Sequence, residues 1–273
     1  RSWTTIPVPS NWELQGFGQY HYGHEIRAHY RGDRPDLEVE TGFYRHRFLV
    51  PHDWSGQHVR IVFEGAMTDT LVRLNGEPAG PLHQGGFYRF SHDVTGLLRY
   101  GAENLLEVEV SEQSADASVD QAERGADYWT FGGIYRPVYL EIKPARRIVH
   151  FAVDAGMDGE LTVSVECAGL SPDLDYTVRA VVRDEAGLPL GDPLEATVGK
   201  DGEPLVLRGS IPGVLPWSAE SPQLYNLGLV LLENGTVQHR ESARIGFRTV
   251  EMRPRDGFFI NGKRIKFKGV NRH

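Results

Sequence analysis

The sequence predicts an all-β protein built from tandem β-sandwiches, and three observations carry that expectation. Gly (31) and Pro (16) are spread along the whole chain and punctuate short runs of alternating apolar and polar residues, which is the period of a half-buried strand. No segment keeps apolar residues at i, i+3, i+4 and i+7 for three turns, so very little helix is expected. The 273 residues are 40% hydrophobic, 10% aromatic and 24% charged, a balance that supplies a packed interior and excludes disorder. At this length two or more domains are expected rather than one.

In the first half the alternating runs are Phe43 to Val50, Val59 to Phe63, Thr70 to Leu74, Leu105 to Val110 and Val138 to Ile142, each bounded by Gly, Pro or Asn. Asn75-Gly76 and the stretch from Asp93 to Leu98 are turn chemistry suited to joining antiparallel strands. Ser111 to Asp127 is polar and small and reads as one long strand-free loop, the kind of excursion that in a compact domain usually carries function.

After Pro144 a second series begins: Val149 to Val153, Leu161 to Cys167, Tyr176 to Arg183, Leu205 to Ile211, Tyr225 to Glu233 and Gln238 to Val250. About seven short strands over roughly 105 residues, with turns such as Asp201-Gly202 and Asn234-Gly235, fit an immunoglobulin-like sandwich. Phe258 to Ile265 reads as a hairpin with an Asn261-Gly262 turn, followed by a run from Phe267 to His273 that reads as an unfinished strand. That ending, and the start at Arg1 without Met, suggest a fragment whose leading segment is removed, cleaved or unseen. The compartment is left open.

Lys plus Arg number 29 against 37 Asp plus Glu, a net charge of −8, which argues against a nucleic-acid partner. No window approaches the ~18 unbroken apolar residues of a membrane helix, so a soluble protein with no membrane partner is expected. The lone Cys167 excludes an internal disulfide and a cysteine zinc cage, and reads as a small core residue.

Chemistry is harder to find. No Gly-x-Ser-x-Gly, Ser-x-x-Lys or supported Cys-His arrangement appears. Gly16-Phe17-Gly18 is a turn rather than a phosphate loop, and His24 and His29 are five apart, whereas the helical zinc motif needs four. His21, His24 and His29 lie in the aromatic stretch from Phe17 to Tyr30, which is either a surface loop with incidental imidazoles or a wall for a polyol. Aromatic faces pack on the apolar faces of sugar rings, while His, Asn and Asp take the hydroxyls. Asp127 to Gly133 (DYWTFGG) carries the same ambiguity, with Trp129 and Phe131 as core or as platform. Glycoside hydrolysis needs two carboxylates flanking one bond, and composition does not single out a pair. The residues by themselves favour ligand binding over catalysis.

Four stretches, taken in order, resemble a known family. Pro9-Ser10-Asn11-Trp12-Glu13-Leu14-Gln15-Gly16, Gly42-Phe43-Tyr44-Arg45, Leu74-Asn75-Gly76 and Asp127 to Arg136 (DYWTFGGIYR) look like landmarks of the N-terminal sugar-binding domain of glycoside hydrolase family 2, which contains β-galactosidases, β-glucuronidases and β-mannosidases. Pro216 to Tyr225 (PWSAESPQLY) resembles its immunoglobulin-like second domain, and Phe258 to His273 resembles the start of its catalytic (β/α)8 barrel. The resemblance implies a jelly-roll domain over 1–144, an immunoglobulin-like domain over 145–252 and the first strands of a truncated barrel over 253–273. It implies a retaining, β-galactosidase-like parent enzyme whose two catalytic glutamates lie on later barrel strands, so that no catalytic residue is present here and this stretch alone is inactive.

Three positions are implied to bind substrate in the parent enzyme. Asp127 falls where β-galactosidases place an aspartate that reaches into the sugar subsite near an alkali ion. His24 falls near a position where those enzymes use Asn, a departure that weakens the inference to galactose. His273 matches a histidine at the end of the first barrel strand, where barrel active sites are built. The implied partner is a carbohydrate substrate. No cofactor is required in this stretch, an alkali or divalent ion is allowed in the parent enzyme, and so is a homo-oligomer. Two other readings fit tandem sandwiches: a free-standing carbohydrate-binding module and a structural spacer. Neither has reason to end in the Lys268 to His273 segment.

Overall fold

A computed structural model gives the fold and describes residues 3–19, 39–124, 131–199 and 204–271. It divides into two compact units, one running to Lys143 and the other beginning at Pro144. Both are built almost wholly of antiparallel strands. No helix among the described residues is long and apolar enough to cross a membrane.

The first unit contains β1 (Thr41–Leu49), β2 (His58–Phe63), β3 (Asp69–Leu74), β4 (Glu77–Pro78), β5 (Phe90–Asp93), β6 (Glu103–Ser111) and β7 (Val138–Lys143). They form one sheet in the order β1-β6-β3-β4 and another in the order β5-β2-β7, so apart from the β3–β4 hairpin neighbours in space are not neighbours in sequence, as in a jelly-roll sandwich. Alternation sets which face is buried: Leu106, Val108 and Val110 of β6, Val72 and Leu74 of β3, and Val59, Ile61 and Phe63 of β2 join one core. Asn75 and Gly76 both have positive φ (55° and 90°), the backbone of the tight turn that joins β3 to β4.

A buried asparagine fixes the turn leading into β6. Asn104 is fully buried, and its Oδ1 accepts from the Arg99 N–H (2.9 Å) and from Asn75 Nδ2 (2.8 Å). Its Nδ2 donates to the carbonyls of Arg99 (3.0 Å) and Ala102 (3.1 Å). All four of the amide's hydrogen-bonding positions are thereby used.

The second unit contains β8 (Arg147–Ala155), β9 (Glu160–Ala168), β10 (Tyr176–Arg183), β11 (Pro189–Thr197), β12 (Leu205–Ser210), β13 (Tyr225–Glu233) and β14 (Thr236–Ile245). The sheets β12-β9-β8 and β11-β10-β13-β14 give the immunoglobulin-like sandwich. Leu161, Val163 and Val165 of β9, Val178, Ala180 and Val182 of β10, and Leu227, Leu229 and Leu231 of β13 share its core. Cys167 packs at the edge of that core as a free thiol, and burial pushes its pKa up to about 11. β15 (Val250–Arg253), β16 (Gly257–Ile260) and β17 (Lys263–Arg264) form a further small sheet in the same unit, with Asn261-Gly262 as the expected turn (φ 52° and 74°).

Four details differ from the sequence expectation. Ser111 to Asp127 is not a plain loop: Ser111 closes β6, and α1 (Ala117–Arg124) follows. Asp116 caps this helix, its Oδ1 accepting from the N–H groups of Ser118 (2.8 Å) and Val119 (3.2 Å), and these bonds together with the Ser118 hydroxyl hold its carboxyl below the usual range. β11 was not expected because it carries Pro189, Gly191 and Pro193, residues tolerated where a strand lies at a sheet edge. The run from Gln238 to Val250 is two strands, because after Ile245 the backbone leaves the β13 ladder: the Phe247 carbonyl accepts from the Trp217 N–H (2.8 Å) and the Arg248 N–H donates to the Ala155 carbonyl (2.8 Å). Finally, residues 265–271 carry no strand; a strand exists by pairing, and those residues have no ladder partner among the described residues. Arg272 and His273 lie outside the described residues.

Asn104→Ala should remove the four hydrogen bonds of this buried amide and destabilise the first unit by about 2–4 kcal/mol, lowering its transition by about 10 °C. Differential scanning calorimetry should show the second unit's transition unmoved. An unchanged first transition would mean that the turn does not depend on this amide.

Candidate functional site

The N-terminal segment of the first unit is held against residues 132–134 as if it were a further strand. Ser10 N–H donates to the Ile134 carbonyl (2.9 Å) and Trp12 N–H to that of Gly132 (3.3 Å). Asn11 Nδ2 donates to the carbonyls of Phe131 (3.1 Å) and Gly132 (3.2 Å). The Trp12 indole is 5% exposed and sits where side chains at two glycines would clash: a Cβ on Gly42 would lie 2.6 Å from it, and one on Gly132 would lie 2.0 Å from it. Both positions therefore need glycine for space rather than for backbone freedom.

Around this indole opens a cleft of about 670 Å³ lined by Trp3, Ile6, Trp12, Phe17, Phe43 and Tyr44, with Glu40 at its polar end. Trp3 and Phe43 remain substantially exposed, and the Arg45 guanidinium lies 4.5 Å over the Trp3 ring. Aromatic faces beside a carboxylate can take the apolar face and the hydroxyls of a sugar. Glu40 is held in place by two donors: Trp12 Nε1 on its Oε2 (3.2 Å) and the Gln19 N–H on its Oε1 (2.8 Å).

Glu13, on the 3-10 turn Glu13–Gln15, is buried beneath the cleft at 7% exposure. Its Oε1 accepts from the Gly132 N–H (2.8 Å), while Oε2 has no hydrogen-bond partner. Burial pushes its carboxyl up to about 7, against the Gly132 bond and helped by the negative charges of Glu112 and Glu40. One carboxylate oxygen from each of Glu13, Glu40 and Glu112 lies within 4.8 Å of one from each of the others. A second buried glutamate, Glu123 of α1, ties that helix to the sandwich by accepting from the Gly86 N–H (2.6 Å) and the Thr68 hydroxyl (3.1 Å).

The three positions expected to bind substrate, His24, Asp127 and His273, lie outside the described residues, as do His21, His29 and Trp129. Phe131 is half-buried, and its carbonyl anchors Asn11. Sequence reasoning missed the grouping of Glu13, Glu40 and Glu112. No spacing rule links residues so far apart, and the one available signal was that Glu13 sits inside the Asn-Trp-Glu landmark.

Comparison with known proteins places the chain. The sugar-binding domain of glycosyl hydrolases family 2 matches residues 1–144, and a second domain described as glycosyl hydrolases family 2 matches residues 147–248. A β-galactosidase of Priestia megaterium is 34% identical over 99% of this chain, and one of Thermoanaerobacter pseudethanolicus is 31% identical over 85%. The chain spans 27% and 32% of their lengths, respectively. A crystal structure of a β-glycosidase from Bacteroides vulgatus superposes with a TM-score of 0.72 at 27% identity, covering 97% of this chain and 32% of that one. A β-glucuronidase from Bacteroides uniformis, at 24% identity and a TM-score of 0.74 over 99% of this chain and 32% of its own, shares the fold. With the family's sugar-binding domain matching more than half of its length and both sandwiches in the family's order, the chain belongs to glycoside hydrolase family 2.

Proposed function

We propose that this chain is the sugar-binding and scaffold part of a retaining β-glycosidase of the β-galactosidase type, which hydrolyses terminal β-glycosides. The observation that carries the reading is the near-complete alignment of this chain with β-galactosidases about four times as long. The aromatic cleft with Glu40 at its end supports a carbohydrate partner. The resemblance of Asp127, His24 and His273 to substrate-contacting positions supports their role at the sugar subsite. An alkali or divalent ion near Asp127 and a homo-oligomeric assembly belong to the same proposal and rest on the resemblance alone.

The acidic group under the cleft is a poor catalytic pair. A retaining mechanism needs two carboxyls about 5 to 5.5 Å apart with the anomeric carbon between them. Glu13 is buried with one oxygen bound to Gly132, and both oxygens of Glu40 already accept hydrogen bonds. The catalytic glutamates are accordingly assigned to the remaining length of the parent enzyme.

Two outcomes follow. The 273-residue chain should not hydrolyse aryl β-galactosides or other aryl β-glycosides; turnover that tracked the purified chain and vanished on changing one of its acidic residues would overturn the reading. In the parent enzyme Asp127→Asn should lower kcat/KM on an aryl β-galactoside by about 10- to 150-fold, the worth of a charge-assisted hydrogen bond to a hydroxyl of about 1.5 to 3 kcal/mol. The melting temperature should be nearly unchanged. Wild-type kinetics in that variant would remove Asp127 from the subsite.

A further inference from the structure

We infer that Glu13, Glu40 and Glu112 form a calcium-binding site in the first unit, separate from any ion at the sugar subsite. The three carboxylates come from chain positions far apart in sequence, yet one oxygen of each lies within 4.8 Å of one of each of the others. The fold holds them there. Glu40 immediately precedes β1 and Glu112 immediately follows β6, two strands paired along their whole lengths, and the Glu112 N–H donates to the Glu40 carbonyl (2.9 Å). Glu13 is fixed by the Gly132 N–H on its Oε1.

The unpartnered Oε2 of Glu13 points to a ligand. The residue is 7% exposed, and this oxygen has no hydrogen-bond donor. A buried carboxylate oxygen left without a partner is costly, and native structures satisfy such atoms with a donor, a water or an ion. Carboxylates gathered this closely repel one another, and a bound cation relieves that repulsion. The Arg124 guanidinium approaches Glu112 at 3.9 Å and Asp120 at 3.7 Å.

Donor chemistry and spacing select the ion. Carboxylate oxygens alone suit a hard cation rather than zinc or copper. Calcium–oxygen bonds of about 2.4 Å span ligands up to about 4.8 Å apart, the limit within which these oxygens lie, and calcium tolerates irregular geometry with waters completing its shell, whereas magnesium demands near-ideal octahedral geometry. Glu40 lines the open cleft, which gives the ion a route in.

The test uses the EDTA-treated 273-residue chain with calcium chloride as the probe, followed by calorimetric titration and by thermal unfolding. One calcium per chain is expected, with an upward shift of the first unit's transition. Glu13→Gln, Glu40→Gln and Glu112→Gln should each weaken binding at least about tenfold, the least that loss of a direct ligand costs when even outer contacts are worth that much. Circular dichroism identifies which variants are folded, and Glu40→Gln and Glu112→Gln, both incompletely buried, decide the matter if Glu13→Gln is not. No binding by the wild-type chain up to about 10 mM calcium, beyond the weakest range of extracellular sites, would overturn the inference. So would an unchanged affinity in any folded variant. Neither result depends on sugar binding or turnover, so this inference and the glycosidase reading fail separately.

Discussion

The Trp12 indole, held where Gly42 and Gly132 leave room for it, is the constraint on which the ligand-facing end of the first unit depends. An indole buried to 5% exposure contributes on the order of 2–3 kcal/mol of apolar burial, and it does so from a segment outside the two sheets. Burying it brings Ser10 and Trp12 into hydrogen-bonding reach of residues 132–134, sets Glu13 against the Gly132 N–H and leaves Nε1 free to hold Glu40. The aromatic wall of the cleft and the acidic group beneath it are thus two sides of the same packing event.

That arrangement explains how an all-β scaffold presents polar chemistry at its strand ends and connections. The sandwich spends its alternating residues on the core, as β6 does with Leu106, Val108 and Val110, so functional side chains have to come from strand ends and connections. Glu40, Glu112 and the α1 residue Glu123 all occupy such positions. The second unit uses the same logic for structure alone in its core, where Tyr225 and Phe247 meet edge to face at 5.5 Å.

The sequence made the sheets legible because period-two alternation and Asn-Gly turns are local. Three such turns, at Asn75, Asn234 and Asn261, adopt the positive φ that the dipeptide favours. What stayed hidden is non-local or context-dependent. β11 breaks the alternation rule with two prolines and is a strand because it lies at an edge of its sheet. Helix α1 is short and polar, and depends on the Asp116 cap and on Glu123 reaching Gly86 and Thr68. The three-glutamate group is assembled by strand pairing between β1 and β6, which no residue spacing announces. The substrate positions, by contrast, came from family resemblance, and His24, Asp127 and His273 fall outside the described residues.

The central claim, that the indole between two glycines organises this end of the unit, is tested most directly by Gly132→Ala. Gly132 is not among the positive-φ glycines, so the added methyl acts by volume alone, 2.0 Å from the indole. Unfolding followed by tryptophan fluorescence and calorimetry should show the first transition destabilised by at least about 1–3 kcal/mol, the usual cost of overpacking, with red-shifted native emission from a displaced Trp12 and an unaltered second transition. A first transition and an emission maximum both equal to wild type would contradict the account.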